Sequence, residues 1–328
     1  MSLSEMKVFN EYIMPATIET LDQMVQKFNA ASRGTILLTT EGFDGDFFER
    51  SFWQSIHSAQ RRVDRYAAQA SVASTDLSQQ KEAAVKVAGG FGPVRFEPSQ
   101  LTWLRKPTAE GISVISQNLA EAIMQDQLNT AIAALRAALE NNASVTYDAY
   151  SLSPSEGITQ ANLNNSHALF GDMSGTLLAQ VMTGSVFHKL IGQNITNTNR
   201  LFNSTNVTVV EILGKSVIVT DAPALLEEGS PNADKEKVLS LAAGAAVVFD
   251  GGDMISNVQT VNGKTRIETT FQVDYTFGRG LKGYSWDETN GGKSPTDAEI
   301  ATGSNWDQTA TSIKHTAGVI LVGDETKS

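Results

Sequence analysis

The four histidines of the 328-residue chain, at positions 57, 167, 188 and 315, are its residues best suited to acid–base or metal chemistry. None is followed by a metal-ligating residue two to four positions on, and no His-Glu-x-x-His helix or calcium loop occurs. Cysteine is absent, which removes disulfides, thiolate zinc sites, iron–sulfur clusters and cysteine nucleophiles together. The stretch GDMSG, residues 171–175, has the composition of a nucleophile elbow but not its Gly-x-Ser-x-Gly order. Asp172 and Ser174 read instead as caps at the start of a helix. The glycines at 278, 280 and 283 lack the spacing and the Lys-Ser/Thr ending of a phosphate loop and read as a turn between strands. No catalytic, metal-binding or cofactor-binding residue is therefore assigned, and no cofactor is expected.

Two groups of side chains are suited to contacts rather than to chemistry. Arg61, Arg62 and Arg65 in QRRVDRY could meet phosphates or acidic groups on a neighbouring surface. With 25 basic against 36 acidic residues and a formal charge of −11, the chain favours the second. A protein whose main task is to grip nucleic acid is usually basic. Phe52 and Trp53, in a run with Phe47 and Phe48 near Arg50, are of the types enriched in protein–protein contacts, and Trp103 joins them as a candidate.

The elements that must carry these residues follow from the apolar pattern. Residues 111–142 place Ile112, Ile115, Leu119, Ile123, Leu128, Ile132, Leu135 and Leu139 at spacings of three to five, one stripe of a long amphipathic helix. At 1.5 Å per residue, ~28 residues span about 42 Å. Polar residues from Gln117 to Arg136 exclude a membrane span there, and no other window is apolar enough. The N-terminus lacks the basic and apolar regions of a signal peptide. Residues 1–35 read as short helical and irregular pieces, 34–48 as a short strand with glycine-rich turns, and 47–69 as a helix bearing the arginines on one side. Residues 70–108 read as a polar, extended excursion, such as a long hairpin, that is exposed in an isolated subunit and ordered by partners. Further expectations are a helix over about 173–191, strands at 207–213 and 215–223, a charged loop over DAPALLEEGSPNADKEK, and an apolar strand at 238–251. A strand pair at 265–287 and a final strand within 311–324 close the chain.

In this order the segments resemble the major capsid proteins of tailed bacteriophages with the Hong Kong 97-type fold. The resemblance rests on AEAIMQDQLNTAIAALRAAL, on ALFGDMSGTLLAQVMTGSVFHKLIG, on SVIVTDAP, and on the tail GLKGYSWDETNGGKSPTDAEIATGSNWDQTATSIKHTAGVILV. Relatives carry similar Gly-(Tyr/Phe)-x-Trp, Ser-Pro-Thr-x-Ala-Glu-Leu and Asn-Trp motifs and a late lysine in the same order. Thr183-Gly184 and Tyr275-Thr-Phe-Gly278 depart from the commoner pattern.

The resemblance implies an α+β fold with an N-terminal arm at 1–45 and a helix and extended loop at 46–108. A peripheral domain, built on the long spine helix, would comprise 109–149 and 256–328, and an axial domain 150–255. It implies a structural protein, not an enzyme, that assembles as hexamers and pentamers into an icosahedral head around double-stranded DNA without sequence-specific binding. Scaffolding, portal and cement proteins are partners the family admits. The virion is the implied location, with synthesis in the bacterial cytoplasm and no membrane. The alternative within the fold is a shell of the encapsulin type around cargo enzymes; the alternative outside it is an enzyme or nucleic-acid binder with an unrecognised site.

Overall fold

The computed structural model of the chain describes residues 3–39, 47–53, 60–69, 71, 72, 74, 76, 79–97, 108–196, 211–229, 233–262 and 265–327. Its axis is helix α2, Thr108–Glu140, preceded by helix α1, Leu3–Ala31. The stripe expected on α2 is the buried one: Leu119, Ile123, Ile132, Leu135 and Leu139 are core residues. Toward its C-terminal end the buried surface widens, because Ala131, Ala134, Ala137 and Ala138 are buried as well. Alanine at these positions lets neighbouring backbone approach closely while keeping the best helix propensity.

Helix α1 replaces the short pieces expected over 1–35. It continues through Pro15, and Ala16, Leu21, Val25 and Phe28 pack on the core at helical spacing. Packing against α2, rather than local propensity, supplies the stability of such a segment. Asn29 ties its end to strand β1, Ile36–Leu38, by accepting from the Leu38 N–H at 3.0 Å and donating to the Leu38 carbonyl at 2.8 Å.

Two sheets carry the rest. In the first, β1 lies parallel to β10, Ala246–Asp250, which pairs with the long β12, Glu268–Leu281. On β12 are also assembled β11 (Ile255–Val261), β13 (Tyr284–Trp286) and β3 (Gln79–Phe96), with β2 (Phe47–Trp53) beyond β3 and β14 (Trp306–Gln308) beyond β13. The second sheet runs β4 (Thr146–Asp148), β15 (Gly318–Asp324), β9 (Lys235–Ala242), β5 (Leu177–Met182), β7 (Lys215–Val219) and β6 (Glu211–Ile212), with β8 (Leu226–Glu227) beside β9. One core joins α2 to the inner faces of both sheets. A smaller cluster, including Leu163, Met182, Val186, Leu190 and Leu321, lies under α3 (Gln160–Ala168) and α4 (Gly184–Thr196).

Several expectations are corrected. The helix expected over 47–69 is strand β2 at Phe47–Trp53, paired antiparallel with β3, and residues 60–69 are irregular. Aromatic and apolar side chains suit both periods in so short a run, and pairing with β3 decides. The helix expected from 173 begins at Gly184. GDMSG is one 3-10 turn, and LLAQVM is strand β5, flanked by β7 and β9 and buried at five of its six residues. A strand buried on both faces shows no alternation, so its apolar run passes for helix. The single strand expected at 238–251 is two, β9 and β10, separated by a turn at Gly244 (φ +65°) and belonging to different sheets. Lys235–Lys237, expected within a charged loop, lie in β9. Strand pairing also crosses the chain division at 255: β10 joins the first sheet and the terminal β15 joins the second.

Candidate inter-subunit surfaces

The β2–β3 hairpin is rooted in the body and bare at its tip. In β3, Ala83, Ala84, Val85 and Val87 are buried, so this part of the excursion belongs to the subunit's own core, contrary to the expectation of general exposure over 70–108. The reason is register: β3 pairs with β12 from Val85↔Arg279 to Phe96↔Thr269, which carries residues 85–87 into the sheet over α2. Side-chain contacts fix the root. The Ser285 hydroxyl accepts from the Ala83 N–H at 2.9 Å, Glu82 accepts from the Gly283 N–H at 3.1 Å, and Lys81 meets Glu288 at 2.5 Å. Further along, Phe91, Tyr275 and Phe277 stack at centroid separations of 5.9 and 6.1 Å. The Tyr275 ring lies where a side chain at Gly89 would stand, 2.7 Å from an added Cβ. The Tyr275 hydroxyl donates to Asp126 of α2 at 2.5 Å, and burial, reinforced by this carboxylate, raises the phenol well above its ordinary range.

At the other end of the hairpin, residues 60–69 are all exposed. Arg61, Arg62 and Arg65 form no ion pair among the described residues, and Val63 and Tyr66 stand out in solvent, Tyr66 completely. A turn in which the Tyr66 N–H donates to Asp64 at 2.9 Å is the local order. The arginines therefore do not share a helix with Phe52. Phe52 and Trp53 occupy the last two positions of β2, opposite Gln80 and Gln79. Trp103 lies outside the described residues, as does His57.

Of the other histidines only His167 is packed in the core, and His188 and His315 are exposed. His167 is buried and its Nε2 lies 3.0 Å from the Ser240 hydroxyl and 3.3 Å from the Gln180 amide. Burial first, then the charge of Lys215, lowers its pKa to about 4, so the ring is neutral at pH 7. Among the described residues no carboxylate completes the pair into a triad, which leaves a hydrogen-bonded link between two core strands and a helix. His188 is exposed and meets the Phe187 ring edge-on at 5.5 Å. Among the described residues no group of three or more His, Cys, Asp and Glu could hold a metal ion. No helix among them is long and apolar enough to cross a membrane.

Sequence reasoning missed the charges that join the layers. Lys237, almost fully buried, donates to Glu140 of α2 at 2.9 Å and to Glu227 of β8 at 2.5 Å. Lys235 adds a bond to Glu227 at 3.0 Å, and these lysines hold the Glu227 carboxyl at a pKa of about 2. Lys189 of α4 meets the buried Glu236 at 2.8 Å. Asp172, expected as a cap, pairs instead with Lys314, which lowers its pKa. The alternation Lys235-Glu236-Lys237 leading directly into the apolar run VLSLA was the available signal, since successive strand residues face opposite sides.

The chain matches the model of the Gp13-like family, described as major capsid protein 13-like, over residues 5–320. Among solved structures it is similar to the capsid asymmetric unit of cyanophage Pam1, with a TM-score of 0.54 and 11% identity over 89% of each chain. It is also similar to the capsid of Ralstonia phage GP4, with a TM-score of 0.52 and 9% identity over 90% of this chain and 88% of that one. The structure of Microbacterium phage Oxtober96 gives 0.51 and 12% over 89% and 90%. No curated protein sequence matches. A long helix braced between two sheets, a hairpin rooted in one of them and a family match over nearly the whole length agree: the chain belongs to the Gp13-like family of phage major capsid proteins and has the α+β, Hong Kong 97-type fold.

Proposed function

We propose that the chain self-assembles through hexamers and pentamers into an icosahedral head that encloses double-stranded DNA. The observation that carries this reading is the hairpin of β2 and β3. Its root is fixed by the subunit's own core, while its tip presents to solvent Val63, Tyr66 and three arginines that form no ion pair among the described residues. A fixed arm with apolar and charged residues at its end is built to meet another molecule, and in a shell that molecule is a second copy. Such contacts are heterologous, and when the rotation closes they generate rings. The −11 charge suits a wall around packed DNA, because a container should not bind every phosphate it encloses.

Within this reading residues 1–45 serve as an arm, 46–108 as the extended hairpin, α2 with the first sheet as the peripheral domain, and the second sheet with α3 and α4 as the axial domain. The role is structural, the location is the virion, and scaffolding, portal and cement proteins are the further partners of assembly in the host cytoplasm. Phe52, Trp53, Arg61, Arg62, Arg65 and Trp103 are the proposed contact residues. Negative-stain microscopy and sedimentation velocity of the purified chain test the reading. Closed shells, or rings of five and six, are the expected result. A monodisperse subunit at every concentration and ionic strength, with or without co-expressed scaffolding protein, would refute it. The contents of particles from infected cells, DNA or protein cargo, separate a phage head from an encapsulin-type compartment.

A further inference from the structure

Strand β11 is an edge. It pairs with β12 from Ile255↔Asp274 to Val261↔Glu268 without a register shift, and among the described residues it pairs with nothing else. Alternate residues of such a strand direct N–H and C=O groups away from their partner. Folded proteins usually blunt such edges with charged residues, proline, bulges or short length. The sequence ISNVQTV has none of these devices over seven paired residues. Six of the seven are exposed, Ile255 and Val261 among them, and Ile267 beyond the turn is exposed too. At the Ile255 end stand three exposed carboxylates. Asp250 ends β10, Asp253 lies in the connection that follows it, and Asp274 lies opposite Ile255. Asp250 accepts from the Gly252 N–H, Asp253 from the Thr276 hydroxyl and Asp274 from the Gln272 amide. None forms an ion pair among the described residues.

The same chain carries the complement. Residues 60–69 are exposed and irregular, and in an extended conformation Arg61, Val63 and Arg65 would share one face and Arg62 and Tyr66 the other. We propose that this tip segment of a second copy adds to β11 as a further strand, with its arginines beside Asp250, Asp253 and Asp274. The inference rests on the self-assembly reading above and names the surface on which it occurs. Main-chain pairing would satisfy an edge that is otherwise open, apolar residues on both sides would leave water, and opposite charges would set the direction. Because donor and acceptor are different surfaces of one chain, the contact is head-to-tail and compatible with ring closure.

The absence of native cysteine permits a direct test. Val63→Cys is combined in turn with Ser256→Cys, Asn257→Cys or Gln259→Cys, and with the exposed Leu152→Cys, in the bend after β4 of the other sheet, as a control. Shells are oxidised and separated without reductant. The expected result is a ladder of covalent multimers for at least one β11 position and none for the control. In parallel, Asp253→Arg with Asp274→Arg should lower shell yield tenfold or more, with subunit thermal stability unchanged. Adding Arg61→Asp and Arg65→Asp to the same chain should restore it. Shells that form normally in the arginine variant and cross-link at no β11 position would overturn the inference and leave the assembly reading standing. Failure of the wild type to form shells would overturn both. Loss of DNA affinity in the Arg61/Arg65 variant, with shells unlinked and intact, would assign the tip to nucleic acid instead.

Discussion

Ile132 and Leu128 lie one turn apart on α2, and the structure predicts different consequences for the same substitution at each. Both border a cleft lined by Phe28, Phe187 and Val217, but Ile132 is only 2% exposed whereas Leu128 is half-buried. Ile132→Asp removes a fully buried side chain worth about 1.5–3 kcal/mol. At 2% exposure the new carboxyl sits where ionisation is strongly disfavoured, and it is expected to stay protonated in the folded subunit. Holding a group of ordinary pKa near 4 neutral at pH 7 costs about 4 kcal/mol, at 1.36 kcal/mol per pH unit. The sum, about 6 kcal/mol or more, is comparable with the whole stability of a typical domain, roughly 5–15 kcal/mol. Leu128→Asp loses part of one side chain's burial and keeps its carboxylate hydrated, a cost of about 1–2 kcal/mol. The assay is urea unfolding of the subunit at pH 7 and pH 5. Ile132→Asp should be unfolded or nearly so at pH 7 and recover at pH 5, because its carboxyl is protonated when folded and ionised when unfolded. Leu128→Asp should be folded at both. Equal losses at the two positions, or no recovery of Ile132→Asp at pH 5, would refute the assignment of the buried stripe.

Three further outcomes are expected. Gly89→Ala places a methyl against the Tyr275 ring and should destabilise the subunit by about 1–3 kcal/mol, with the loss relieved by Tyr275→Leu but not by Tyr275→Phe, which keeps the clashing ring carbons, as read by thermal unfolding. Glu227 has its folded pKa depressed to about 2, so its pairing with Lys237 and Lys235 adds stability above the ordinary carboxylate pKa that disappears as pH falls toward 2; Glu227→Gln should flatten the pH dependence of the urea midpoint between pH 5 and 2. His167 has its folded pKa lowered to about 4, so the unfolded chain binds the extra proton and stability falls as pH drops from about 6.5 to 4; the imidazole resonances of His167 should not titrate above pH 5, and a midpoint near 6.5 would contradict its burial.

The long helix was legible because its stripe keeps helical spacing for eight turns and nothing in it competes with that period. The hairpin root was not. Ala83, Ala84 and Val85 have too little apolar surface to announce a core strand, and they are buried because β12 and β13, nearly two hundred residues later, hold this end of β3 against the body. β5 failed for the opposite reason: LLAQVM is apolar on both faces, and only its neighbours β7 and β9 separate strand from helix. The arginines at 61, 62 and 65 were recognised as contact residues by type, yet were placed on a helix that pairing with β3 replaces at Phe47–Trp53. Local pattern therefore marked the elements that stabilise themselves and misplaced those that depend on distant partners. The capsid resemblance was legible through the order of tail motifs, which periodicity does not encode.

Arg279 shows how far the layer junction departs from a simple apolar core. It is fully buried on β12, its guanidinium lies 5.3 Å from the Phe277 ring centroid, and one nitrogen donates to the Gln127 carbonyl at 3.3 Å. Nε and Nη1 have no hydrogen-bond partner among the described residues. Burial lowers its pKa to about 9, with Asp126 and Asp297 acting against the shift. A base whose folded pKa is depressed carries its cost at every pH below that value, so the penalty is fully present near neutrality. Replacing a buried ion pair by apolar side chains of similar volume is often neutral or stabilising by about 1–4 kcal/mol, and Arg279 forms no ion pair among the described residues whose partner its removal would strand. Arg279→Met is therefore expected to leave the isolated subunit as stable as the wild type or more so, whereas Asp126→Asn, which keeps the cation and removes a nearby carboxylate, should destabilise it. If the guanidinium sets how α2 seats on β12, the methionine variant will also assemble into particles of less uniform diameter. Urea unfolding and particle-size distributions on the two variants decide. A methionine variant less stable by more than about 2 kcal/mol would show instead that Arg279 is fully hydrogen-bonded in solution, through water at Nε and Nη1.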